Sequence, residues 1–155
     1  MKKFIVIILA AWILMPLLAQ HCGSCAKGLE AKSATVSQTD AKQVIPAAKK
    51  AHWIDKDHYV TYEWNKSPKI GSFLLLVNVF DKNKNRITHL NLTANAYMPS
   101  MKGSHDTGDK PMKLNKKNQY AIPVYFMMLG DWEIELKFNK DKRQIGNAFV
   151  QLDIK

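Results

Sequence analysis

The sequence predicts an all-β domain, an immunoglobulin-like antiparallel β-sandwich, preceded by an N-terminal signal or anchor segment and a flexible linker. Three observations predict it. From His52 onward, short runs of aromatic and β-branched residues are separated by clusters of turn residues. Within those runs apolar and polar residues alternate with period two, as in half-buried antiparallel strands. No stretch in this region carries a helical apolar period of useful length. Seven short strands in about 100 residues fit a sandwich, with a small barrel as the alternative.

Residues 1–26 read as an export signal or membrane anchor. Lys2 and Lys3 precede an uninterrupted apolar run from Phe4 to Ala19, a charged start followed by a hydrophobic segment. That run is short against the roughly 20 residues needed to cross a bilayer and contains Pro16, which favours cleavage. The exit, His21-Cys22-Gly23-Ser24-Cys25-Ala26, leaves three outcomes open. The leader is cut after Ala19 or Ala26, lipidated at Cys25 in an imperfect lipobox, or retained with a Cys-x-x-Cys pair just outside the membrane. The protein is accordingly expected to be exported and periplasmic, free or held to the membrane by its N-terminus.

Residues 27–51 are rich in Ala, Lys, Ser, Thr and Gln and lack aromatic residues. Such a segment buries too little apolar surface to offset its ordering entropy, so it reads as a linker. The remainder, 52–155, is one domain's worth of chain. The formal charge of +10 falls only to +8 when Lys2 and Lys3 are removed, so basicity belongs to the folded part. On an exported protein that charge suits an anionic membrane surface or an acidic partner better than nucleic acid.

The expected strands are 59–64, 72–80, 87–96, 112–114, 120–128, 132–138 and 149–154. Tyr120, Ile122, Val124, Phe126 and Met128 fall on one face of their strand, as Trp132, Ile134, Leu136 and Phe138 do on the next. The two read as a core hairpin closed by Leu129-Gly130-Asp131. Pro123 has no amide hydrogen to donate, so its strand should be an edge or bulged there. Trp132 reads as a core anchor. His89 falls within a predicted strand, and His52 and His58 flank the start of the domain.

The segment from Met98 to Met112 places three thioethers and an imidazole, Met98, Met101, His105 and Met112, among Pro, Ser, Gly, Asp and Lys. Thioether sulfur is a soft, neutral donor suited to Cu(I), and imidazole serves copper in either oxidation state. Pro99 fixes one φ between Met98 and Met101 and lowers the entropy lost when two sulfurs converge. The competing reading is that Met98 and Met112 end strands and pack inward, since Met is an adaptable gap-filler. By strand parity Met127 lies opposite Met128, as either a fourth thioether or a surface residue. No Ser, His and acid arrangement and no phosphate-cradling loop stands out, so the sequence predicts no enzyme.

Four features in order resemble the FixH and YtkA-like family of exported bacterial domains. They are the turn Asp81 to Asn85 before Ile87, Met98-Pro99-Ser100-Met101 followed by Gly103, Ser104 and His105, then Asn118-Gln119-Tyr120, and finally Met127-Met128-Leu129-Gly130-Asp131-Trp132 with its Gly-x-Trp. Asn118 stands where that family usually has Gly. The resemblance covers roughly residues 68–138. It implies a sandwich outside the cytoplasmic membrane, concerned with copper handling or with assembly of a copper-containing respiratory oxidase. Its implied partners are membrane-associated copper-handling or respiratory-complex proteins. On that basis a Cu(I) site is expected at Met98, Met101, His105 and Met112. The alternative is a metal-free interaction module that docks on a membrane complex through edge strands and aromatic residues such as Tyr97 and Tyr125.

Overall fold

The computed structural model describes residues 42–101 and 103–155; the expectations for the leader, its two cysteines and residues 27–41 lie outside the described residues. In these residues the chain folds into two antiparallel sheets. Strands β1 (His52–Trp53), β2 (His58–Trp64), β3 (Gly71–Asp81), β4 (Arg86–Ile87), β5 (Asn91–Tyr97), β6 (Lys110–Pro111), β7 (Lys113–Leu114), β8 (Tyr120–Phe126), β9 (Gly130–Lys140) and β10 (Arg143–Ile154) are joined by turns. A single 3-10 turn covers Pro99–Met101. The larger sheet runs β1-β2-β3-β8-β7 with β4 beside β3, and the smaller runs β10-β9-β5-β6. Strands β2, β3, β8 and β7 occupy the places of A, B, E and D in a constant-type immunoglobulin sandwich, and β5, β9 and β10 those of C, F and G.

The inner faces are those that alternation predicts. Val60, Leu75, Val77 and Val79 meet Ile134, Leu136, Phe138 and Val150 in one core, all of them fully buried. The largest contributor is Trp132, whose ring meets Phe126 edge-on at 5.3 Å. A second tie between the sheets is Tyr120, whose hydroxyl accepts from the Leu90 amide at 3.1 Å and donates to the Leu90 carbonyl at 2.9 Å. Asn118, two residues earlier, has φ +56°. Asn is among the few side chains that tolerate this left-handed region, so it can replace a Gly there.

Several sequence expectations need correction. Strands β8 and β9 are not a hairpin: β8 pairs with β3 and β7, β9 with β5 and β10. Their matching apolar faces point at each other across the core, and period-two alternation cannot distinguish side-by-side strands from facing ones. The strand expected over 87–96 breaks at Thr88–Leu90, which leaves His89 exposed between β4 and β5. Pro123 sits opposite Leu74 on β3, while β7 reaches only Tyr120 and Ala121, so the other side of Pro123 is an open edge as expected.

The ordered domain begins before residue 52. Val44 forms a parallel bridge to Phe149, and hydrogen bonds of 2.8 Å run from the Ile45 amide to the Phe149 carbonyl and from the Phe149 amide to the Gln43 carbonyl. Ile45 is buried in the core. This short pairing covers part of the outer edge of β10. Beside it Glu133, on the outward side of β9, is wholly buried beneath Lys42, Tyr97 and Gln151. Gln151 Nε2 lies 2.9 Å from its carboxylate, and Lys42 also lies over the Phe149 ring at 4.9 Å.

Burial alone pushes the Glu133 carboxyl upward, but the hydrogen bonds from Lys42, Tyr97 and Gln151 outweigh it and hold it below the usual range. A lowered carboxylate contributes stability above its unfolded-state pKa, and that contribution is lost as pH falls through the folded value. Replacing Lys42 with Met removes a charged partner from a buried carboxylate, so it should cost about 1–3 kcal/mol in chemical denaturation at neutral pH. Glu133→Gln, Lys42→Met should recover part of that loss.

His52 gives a dependence at higher pH. Its Nε2 is buried without a hydrogen-bond partner, and desolvation lowers its pKa from 6.5. The unfolded chain therefore binds the proton more readily, and stability falls as pH drops below 6.5 toward the folded value. A plot of Tm against pH should lose this component in His52→Phe and retain the remaining acid-side decline.

Candidate functional site

The segment after β5 begins at the core and rises to the surface. Met98 continues the inward parity of Leu92, Ala94 and Ala96 and is 4% exposed. The Met101 amide then bonds the Met98 carbonyl at 3.0 Å, and the Ser104 amide bonds the Met101 carbonyl at 3.1 Å. These two turns bring Met101 out, so that it is 40% exposed. His105 follows in the same bend, partly exposed. The chain rejoins the sheet at Thr107, whose amide bonds the Ala96 carbonyl at 3.1 Å and whose hydroxyl accepts from the Ala96 amide at 3.0 Å.

Met112 lies elsewhere. Its amide bonds the Leu92 carbonyl at 2.9 Å, six residues before Met98 along β5. At the strand rise that is about 20 Å from Met98, too far for two thioethers to share one ion. The side chain is buried in the core. The structure therefore brings Met98, Met101 and His105 to one end of the sandwich and does not bring Met112 to them. The reason is that residues 107–114 return antiparallel along β5 toward its start, a path that sequence spacing alone does not reveal.

The turn between β8 and β9 arrives at the same end. Gly130 has φ +121°, and a Cβ there would lie 3.1 Å from Met98 Cε, so the Met98 methyl packs against bare backbone that only Gly provides. Ser100 Oγ bonds Asp131 Oδ1 at 3.0 Å, tying the 3-10 turn to the start of β9. Trp132 Nε1 donates to the Met128 carbonyl at 3.1 Å and so fixes the preceding turn. Met128 is half-buried against the core, while Met127 is 45% exposed and Leu129 55%.

Four of the seven methionines, Met98, Met101, Met127 and Met128, therefore converge on one end of the sandwich. Parity had marked Met127 as a candidate thioether. The contact between Met98 and Gly130, which draws the two segments together, was not visible in spacing. No three His, Cys, Asp or Glu side chains form a metal-binding group among the described residues. Tyr97, expected as an exposed contact, is instead buried on Glu133, whereas Tyr125 is 55% exposed.

The packing and surface roles can be separated by stability. Met112→Ala should lower the unfolding free energy by about 2–5 kcal/mol, the range for emptying a core site. Met101→Ala should change it by less than about 0.5 kcal/mol. Urea denaturation of the two variants checks both values.

In comparison with known proteins, a family described as YtkA-like matches residues 55–137. No curated protein and no solved structure shows a significant match. The matched span contains both the Met98–His105 segment and the Met127–Trp132 turn.

Proposed function

The chain belongs to the YtkA-like family, and from that premise we propose that it is an exported domain that carries Cu(I) in copper handling or in assembly of a copper-containing respiratory oxidase. The observation that supports this reading is the exposure of two thioethers, Met101 and Met127, at the end of the sandwich where Met98 and Met128 also lie. Solvent-facing Met in a Lys-, Ser- and Asp-rich segment forgoes its usual packing role, and its donor chemistry fits Cu(I).

In this proposal Met101 and His105 supply the accessible donors and the Met127-Met128 turn the remaining thioethers. Met98, held on Gly130, supports the loop from below and is not the first donor an ion meets. Met112 has no part in it. Thioethers need no deprotonation to bind, so their contribution persists in mild acid while that of an imidazole declines. An open site on a loop, with few donors from rigid strands, suits transfer between membrane-associated partners more than storage.

A second reading has its own support. Met98 and Met112 are buried separately, as packing residues would be, and Tyr125 is exposed. On this reading the domain is a metal-free interaction module that docks on a membrane complex.

Competition of the purified protein for Cu(I) against a chromophoric chelator distinguishes the two. The copper reading expects one equivalent bound, with affinity at least about tenfold weaker in Met101→Ala and in Met127→Ala, the loss expected when a thioether contributes about 1.4 kcal/mol, and unchanged in folded Met112→Leu. Absence of Cu(I) binding by the wild-type protein would leave the interaction module as the function.

A further inference from the structure

We infer that the outer face of the larger sheet is a docking surface for an anionic lipid bilayer. The two outer faces of this sandwich differ in kind. On the smaller sheet the outward residues of β9 are Asp131, Glu133, Glu135, Lys137 and Asn139, all polar, with Glu133 covered by Lys42, Tyr97 and Gln151. On the larger sheet the outward positions hold Trp53, Tyr59, Phe80, Leu76, Leu74 and Tyr125, with the polar rung Thr61–Asn78 between Phe80 and Leu76 and Glu63 beside Leu76.

Register aligns the aromatic residues into one row. Trp53 pairs with Tyr59, Tyr59 with Phe80, and Phe80 with Arg86. The ring centroids are 5.2 Å apart for Trp53 and Tyr59 and 5.1 Å for Tyr59 and Phe80, and the Arg86 guanidinium lies over Phe80 at 5.6 Å. Leu74 and Leu76 continue the face along β3 toward Tyr125, which lies over the rung Ser72–Tyr125. From Phe80 to Ser72 the face is about 26 Å long by the strand rise. Trp53 is 52% exposed and Tyr125 55%, and they mark its two ends. The Thr61–Asn78 rung separates the aromatic row, with its exposed Trp53, from Leu74, Leu76 and the exposed Tyr125, and clustered aromatic surface rimmed by polar residues marks an interaction site.

Charge selects the occupant. Residues 52–87 and 113–126, which form this sheet and its turns, carry nine Lys and Arg against four Asp and Glu. Residues 91–111 and 130–154, which form the other sheet, carry six against seven. The apolar face thus lies on the basic half. A second copy would bring two basic halves together, whereas an anionic surface is attracted to it. Trp and Tyr are the side chains that settle at the headgroup level of a bilayer, and surrounding Lys and Arg add attraction to acidic lipid. A flat face that relies on aromatic rings and dispersed cations suits a fluid surface, which does not require a shaped pocket.

Hydroxyl-radical footprinting of the full chain tests this, with vesicles of phosphatidylglycerol and phosphatidylcholine compared with phosphatidylcholine alone. The inference expects oxidation of Trp53, Phe80 and Tyr125 to fall at least threefold with the anionic vesicles only. It expects Phe149, on the opposite sheet, to stay unchanged and 0.5 M salt to reverse the protection. Unchanged oxidation on anionic vesicles overturns it. So does equal protection on neutral vesicles, which would reflect the apolar N-terminal run, and so does protection without vesicles that rises with protein concentration, which would indicate a second copy.

Discussion

The contact on which the rest depends is the edge of the Trp132 indole against Phe126. Phe126 is the last inward residue of β8 and Trp132 the first of β9, so this one contact closes the sandwich where the chain passes from one sheet to the other. The indole nitrogen is equally committed, since it holds the Met128 carbonyl in the crossing turn. A buried indole requires a partner for its N–H, and satisfying it fixes the turn. With the turn fixed, Gly130 presents bare backbone to Met98, and the segment after β5 starts from a defined point. The methionine-rich end is thus a consequence of how one large core residue is packed.

A second chain of dependence runs through Glu133, the next residue. Its buried carboxylate collects Lys42 from the segment before β1, Tyr97 from the end of β5 and Gln151 from β10. Tyr97 immediately precedes Met98, so the residue that ties down the N-terminal segment also anchors the strand leading into the thioether loop. Replacing such a carboxylate with an apolar residue need not destabilise, whereas removing one partner does, because a charge is then left buried and uncompensated. The arrangement joins three distant parts of the sequence through one carboxylate.

Much of the sandwich was legible because burial imposes period-two alternation, and that pattern is local. Tyr120 to Phe126 and Trp132 to Phe138 could be assigned to strands and their inward residues named from sequence alone. What alternation does not carry is which strand lies beside which, and so two facing strands read as a hairpin. Residues 43–45 read as linker in the sequence because a bridge of one residue and a single buried Ile45 leave almost no periodic trace. Met98, Met101 and His105 were legible as a group because a turn keeps them close. Met112 was misplaced because the return path along β5 is a tertiary fact. Glu133 gave no signal, since a charged residue at an outward strand position is ordinarily solvated.

The division of charge between the sheets bears on how the two surfaces of this domain can operate together. The apolar, basic face belongs to the flank of the sandwich, while Met98, Met101, Met127 and Met128 gather at one end, where strands terminate. A flank and an end are different sides of the same body. Contact through the flank with a planar surface therefore leaves the end turned along that surface, open to a neighbour in the same plane. Lys137, joined to Asp109 at 2.7 Å, and the buried Glu133 keep the opposite sheet compensated within itself, so its carboxylates add little repulsion toward an acidic surface. On the two proposals made above, the docking face and the methionine-rich end are separate, and neither role would require the other to move.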